Sequence, residues 1–199
     1  MATTPELIAY LQEKIPLGQL PETVKLSELL WHEMDKLWQM SVVNIESGVV
    51  VEWGGLLVIQ EGELALIELT EGTDTHIRLV VPALTDFVGS FHTHPHASGY
   101  TGIGFSGADF ADMVNQGERV SVVQSGQHLF MILRTENTPA TTVVNKWRVR
   151  MNSLFEQSYK ERQDILAASL VANQTISREL GLAFYYGWAF RQLVEVYRP

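Results

Sequence analysis

The 199-residue chain contains no cysteine. Disulfide staples, thiolate metal sites and a cysteine nucleophile are therefore excluded, and any metal must be held by imidazole and carboxylate. Positive charge is also scarce: 14 Lys and Arg stand against 23 Asp and Glu, a formal net charge of −9. No Lys/Arg cluster interrupts that balance, so nucleic acid is not an expected partner, because a phosphate backbone requires a positive surface. No segment reaches the roughly 20 consecutive apolar residues of a membrane span. The opening MATTPELIAYLQEKIP lacks the basic start and apolar run of a secretory signal. A cytoplasmic protein with no membrane partner is the expectation. What the chain does have is 46% hydrophobic and 19% charged residues, a profile that favours one globular domain over a disordered chain.

Three regions can be read, with boundaries at 1–40, 41–144 and 145–199. In the first, residues 4–14 and 26–38 read as short helices packing on a core. Leu7, Ile8 and Leu11 form one apolar stripe and Leu26, Leu29, Leu30, Met34 and Leu37 another. The second reads as strands over Gly48–Gln60, Glu63–Leu69, His76–Val81, Asp86–His92, Arg119–Gln124 and Gln127–Arg134. These are rich in Val, Ile and Leu and punctuated by Glu61-Gly62, Glu71-Gly72 and Ser125-Gly126. A Gly-rich loop, 95–105, and a short helix from Ser106 to about Asn115 interrupt them, which argues for an α+β fold. The third region reads as a helical extension to the end. Trp147, Met151, Leu154, Phe155 and Tyr159 lie at helical spacing, as do Ile176, Leu180, Phe184 and Trp188. The stretch 180–190, LGLAFYYGWAF, is apolar on nearly every side and is either deeply buried or a subunit contact, with a homodimer through these helices among the readings.

Three of the six histidines fall within five residues, in GSFHTHPHASGYTGIGFSGADF (89–110). In a strand, His92 and His94 project from one face while Thr93 points away, and two imidazoles side by side suit a borderline-soft divalent ion. Alone, the pair reads equally as two histidines at a strand end. Ser106-Gly-Ala-Asp109 resembles a helix capping box, and it also sets Asp109 in a first helical turn as a candidate third ligand. Three protein ligands with one open position is the arrangement of a catalytic zinc site. Glu52 lies inside the otherwise apolar run VVVEWGGLLVI (49–59). It is either a strand-edge glutamate facing water or a buried acid requiring a partner, and Gly54-Gly55 favours the second by permitting close backbone approach.

Taken together, Glu52-Trp53-Gly54-Gly55-Leu56-Leu57, His92-Thr93-His94-Pro95 and Ser106-Gly107-Ala108-Asp109 resemble the JAMM signature of the MPN+ (JAB) zinc metalloproteases. The resemblance covers about residues 41–135. It implies an MPN/JAB-like, cytidine-deaminase-like mixed sheet flanked by helices, with the N- and C-terminal helices as additions. It further implies zinc on His92, His94 and Asp109. Glu52 would act as the acid–base that moves a proton from water to the leaving amine, and Ser106 as a hydrogen-bond donor to the oxyanion. The implied partner is a protein or peptide substrate, with a ubiquitin-like protein or its conjugate among the candidates and a peptide or isopeptide bond as the target. The eleven residues 95–105 make the loop between His94 and Ser106 longer than the family's usual spacing. That loop is an expected cleft wall or lid. His96 reads as a solvated loop residue, and His32, His76 and His128 as structural or surface positions.

The competing reading is a non-catalytic MPN-type scaffold or interaction module. An amidohydrolase barrel, which also uses paired histidines, requires roughly 250 residues or more. A cupin would need further ligands at its own spacing.

Overall fold

The computed structural model describes residues 3–80, 86–188 and 193–197. Among them is an α+β arrangement in which one mixed, eight-stranded sheet carries helices on both faces. The strands are β1 (Thr23–Val24), β2 (Trp53–Gln60), β3 (Glu63–Glu71), β4 (Phe87–Thr93), β5 (Val120–Ser125), β6 (His128–Leu133), β7 (Ala183–Trp188) and β8 (Leu193–Tyr197). Their order is β1-β8-β7-β6-β5-β4-β2-β3. Only β4 and β5 run parallel among these pairs; the others are antiparallel. The helix α3 (Gly107–Gln116) makes the crossover that this parallel pair requires.

The alternation of side chains explains the layers. On one face Phe91, Val120, Val122, Leu129, Met131, Leu133 and Tyr185 pack against α1 (Pro5–Leu11) and α2 (Glu28–Ser41). On the other, Val123, Phe130, Ile132 and Phe184 pack against α3, α4 (Val144–Arg162) and α5 (Ile165–Glu179). Strands β5 and β6 are therefore buried on both faces, which is why the residues Leu129–Leu133 of β6 read as a continuous apolar run rather than an alternating one, while β5 buries Ser121, Gln124 and Ser125 among its valines. Each large apolar side chain removed from water contributes roughly 1.5–3 kcal/mol.

The structure departs from the sequence reading in three places. Strand β2 begins at Trp53, because residues 45–47 form a 3-10 turn ending at Gly48. The strand expected over His76–Val81 does not form at residues 76–80, where three of five residues are exposed; Val81 lies outside the described residues. The largest departure is the C-terminal region, which is not helical to its end. Helix α5 stops at Glu179, Gly181 takes the left-handed conformation (φ 64°), and the chain returns as β7, hydrogen-bonded between β6 and β8. Residues 183–188 and 193–197 are thus part of the sheet, and only α4 and α5 of this region are helical among the described residues. The apolarity of residues 180–187 is accounted for by burial inside this sheet, while Trp188 at the strand end is exposed. Residues 189 and 190 lie outside the described residues. Among the described residues, no helix is long and apolar enough to cross a membrane.

Candidate metal centre

The ligands converge because of the register of β4. His92 pairs with Gly54 of β2 on one side and Val123 of β5 on the other. His94 follows the strand end, its N–H donating to the Gln124 carbonyl (2.8 Å). A Cβ at position 54 would collide with the Phe91 carbonyl oxygen, so only glycine lets β2 lie this close to the histidines. Thr93 projects to the opposite face, fully buried, where its hydroxyl meets Ser41 Oγ of α2 (2.6 Å) and accepts from the Trp53 N–H (2.9 Å).

Helix α3 brings the carboxylate. Ser106 is its N-cap, accepting from the Asp109 N–H (3.3 Å), and Asp109 Oδ2 accepts from the Ser106 N–H (2.6 Å). The capping box expected of Ser106 and Asp109 is present, and it leaves the carboxylate beside both imidazoles. The box fixes the carboxylate with Oδ1 3.5 Å from His92 Nε2 and Oδ2 3.4 Å from His94 Nε2, while the two ring nitrogens lie 3.0 Å apart.

These spacings fit a metal. Bonds of about 2.0–2.1 Å to a tetrahedral ion put neighbouring ligand atoms roughly 3.3–3.4 Å apart. The two ring nitrogens lie near that separation, each ring has one Asp109 oxygen close to it, and one ligand atom from each of the three residues lies within 4.8 Å of the others, a group that could hold a metal ion. Two unprotonated ring nitrogens at 3.0 Å would set lone pair against lone pair, so a proton or a cation belongs between them. The tautomer is set as well: His94 Nδ1 donates to the Gly104 carbonyl (2.8 Å), leaving Nε2 free as a ligand.

Electrostatics follow from this packing. Burial opposes charge on His94, yet the hydrogen bond and negative charge of Asp109, with the Glu52 carboxylate beyond, push its pKa up to about 9. Burial likewise opposes charge on Asp109, but the two imidazoles outweigh it and hold the carboxyl well below its usual range. Glu52 is 8% exposed, just ahead of β2, its backbone paired with Gly72 and Thr73. The water-facing alternative for this residue is overturned. Burial pushes its carboxyl pKa up, against the pull of the His94 and His92 charges.

No protein-family model, curated protein or solved structure matches the chain. The site therefore stands on its geometry.

Several supporting residues carried no sequence signal. Loop residues 102–105 are tied down from below. Ser125 Oγ accepts from the Gly102 and Ile103 N–H groups and donates to the His94 carbonyl, Ser169 Oγ accepts from the Gly104 N–H (2.7 Å), and Asn173 Oδ1 accepts from the Phe105 N–H (2.9 Å). Because Gly104 in turn accepts from His94, α5 orients a candidate ligand through the loop. This half of the loop is a fixed wall rather than a lid. Residues 96–100 are exposed; His96 accepts from the Ser98 N–H (3.2 Å) and packs against Tyr100, as a solvated loop residue would. Of the other histidines, His32 and His76 are exposed, and His128 pairs with the Tyr186 hydroxyl (2.7 Å).

Behind His92 and Asp109 lies a narrow cavity of about 60 Å3, lined in part by Ser90, Asp112, Ser121 and Glu118. Glu118 is buried and accepts from Ser90 Oγ (2.8 Å). Burial pushes its pKa up to about 7, with Asp112 and Asp109 adding to the rise and the Ser90 hydrogen bond opposing it.

Proposed function

We propose that this chain is a zinc-dependent hydrolase of the JAMM type, cleaving a peptide or isopeptide bond, with an MPN/JAB-like fold. The observation that carries the reading is the meeting of His92 Nε2, His94 Nε2 and the Asp109 carboxylate, with one ligand atom from each within 4.8 Å of the others, and the buried Glu52 carboxylate coupled to the same charges. His92, His94 and Asp109 would hold the ion. When bound, a zinc ion supplies Lewis acidity, lowering the pKa of water and polarising a carbonyl.

The chain's own groups account for the rest of the reaction. Glu52, whose carboxyl pKa is raised by burial, would accept a proton from the attacking water and return it to the departing amine nitrogen. Ser106 sits at the N-cap of α3 and shares a pocket lining with His94. Its hydroxyl hydrogen is free to donate to the oxygen that becomes negative as the carbonyl is attacked, since Oγ acts only as acceptor in the cap. The Gly104 carbonyl keeps His94 in the tautomer that ligation requires.

Zinc content and turnover test the proposal. Purified protein is expected to hold one zinc per chain, lost in the His92→Ala, His94→Ala double variant. Glu52→Gln should keep the metal and lose peptidase activity by at least about 100-fold. Protein that takes up no zinc sinks the metal site. Full activity in Glu52→Gln removes its assigned role, and absence of cleavage in zinc-loaded wild type would favour a scaffold.

A further inference from the structure

We infer that the substrate residue supplying the scissile carbonyl carries a large apolar or aromatic side chain, received by a pocket between loop residues 103–106 and helices α4 and α5. This rests on the hydrolase reading above and adds the substrate class.

The pocket has a volume of about 310 Å3 and opens on the two groups nearest the reaction on this side, His94 and Ser106. Its walls are Ile103 and Phe105 from the loop and Met151 and Phe155 from α4. Phe105 and Met151 belong to the buried cluster beneath, and Phe155 packs against it half-buried. The polar groups at its base, Ser169 and Asn173, already hold the loop backbone and do not ask a ligand for hydrogen bonds. At the rim the exposed Glu156 opposes an acidic side chain. An apolar cavity of about 150 Å3 holds a benzene ring, so this one accepts a Phe, Leu or Met side chain with room for its stem. A glycine would leave it unfilled.

The side of the bond follows from which groups line the pocket. Ser106, placed to meet the carbonyl oxygen, is part of the lining, whereas Glu52, which must reach the departing nitrogen, is not. The pocket therefore belongs to the acyl half of the substrate. Its walls include helix α4, to which the sequence assigned no chemistry, and the long 95–105 loop, which the sequence marked as a cleft wall or lid.

The test uses the full zinc-loaded chain and pairs of fluorogenic peptides that differ only at the acyl-side residue. Burying one such side chain corresponds to roughly 10- to 100-fold in kcat/KM. We expect Phe over Gly by that factor, Glu below Gly, and the Phe advantage cut at least threefold in Phe155→Ala. Equal cleavage of Phe and Gly peptides, or a preference confined to the amine side, overturns the inference and leaves the hydrolase reading intact. A second measurement needs no turnover. In protein carrying 13C-methyl methionine, N-acetyl-phenylalaninamide should shift the Met151 methyl signal. N-acetyl-glycinamide should not, and the Met113 signal, from the cavity on the other side of the ligands, should stay still. If the phenyl probe leaves Met151 unmoved, the pocket assignment fails whatever the cleavage result. A Met151 shift without cleavage of any peptide upholds the pocket and counts against the hydrolase.

Discussion

Replacing Asn173 with leucine tests whether helix α5 acts on the metal centre through the loop it holds. Asn173 is 1% exposed, and leucine approximates its size while removing both polar arms. The Phe105 N–H then loses its acceptor at 2.9 Å. A buried donor left without a partner costs about 1–3 kcal/mol, and this loss should appear in metal-free protein as a lower urea midpoint with an unchanged slope. The second effect is the informative one. The Gly104 carbonyl that orients His94 sits one residue before Phe105, so loosening the loop releases the ring that must present Nε2. Loss of an outer-shell partner of a metal-ligating histidine typically weakens metal binding roughly 10- to 100-fold.

That weakening corresponds to about 1.4–2.8 kcal/mol less stabilisation at a fixed free zinc concentration above the dissociation constant. The variant should therefore lose more stability in zinc than in chelator. Competition against a chromophoric chelator reads the affinity directly. Ser169→Ala, which removes the acceptor of the Gly104 N–H at 2.7 Å, should weaken zinc in the same direction. An Asn173→Leu protein that is less stable by the same amount with and without zinc, and binds the ion as tightly as wild type, would refute the reasoning. The clamp would then be structural alone.

Two further outcomes follow from the charges. With the pKa of His94 pushed up to about 9 in metal-free protein, the ring carries a proton at around neutral pH, and zinc binding must displace it. Calorimetry in buffers of different ionisation enthalpy should count about one proton released per zinc, and a count of zero would contradict the assignment. Glu118 makes the second case. Its pKa is raised from 4.5 in the unfolded chain to about 7 when folded, so the folded state holds the proton more tightly. The burial penalty is absent below about pH 4.5, grows as pH rises, and is complete above about pH 7, at about 3 kcal/mol. In metal-free protein Glu118→Gln should be the more stable form at about pH 8 and gain nothing at about pH 4. A variant destabilised equally at both would show the carboxylate to be well solvated or paired.

How much of this was legible beforehand varied with how local the signal was. His92, Thr93 and His94 could be assigned from strand alternation alone, and Ser106 with Asp109 from the capping pattern, because both rules operate within about four residues. Glu52 was legible as an anomaly, an acid in an apolar run. The C-terminal strand was not, and the reason is physical. Ile176, Leu180, Phe184 and Trp188 do fall at helical spacing, but a segment apolar on every side satisfies any period, and most of Ala183–Trp188 is buried within the sheet. Its aromatic residues and the glycine at 181 were the arbitrating signals. Residues 76–80 carry alternating apolar side chains, but they form no ladder and His76, Arg78 and Val80 stay exposed. Asn173, Ser169 and Glu118 act across long separations in the chain, and nothing in a single sequence distinguishes them from ordinary polar positions.

The central residue of His92-Thr93-His94 joins these pieces. A slip of β4 by one residue would turn both imidazoles toward α2 and bury them in the wrong layer. Thr93 opposes that slip from the far face: its hydroxyl is held by Ser41 near the end of α2 and accepts the Trp53 N–H at the start of β2. The second of these contacts also fixes the backbone one residue after Glu52. One hydroxyl thus sets the register that aims two candidate metal ligands and anchors the strand that follows the proposed acid–base group. Valine has nearly the same shape and a higher tendency to form strands, but it could make neither bond. The alternating side chains of a single strand thereby divide the work between the two layers. The α3–α5 face carries the candidate ligands, and the α1–α2 face holds the strand that presents them.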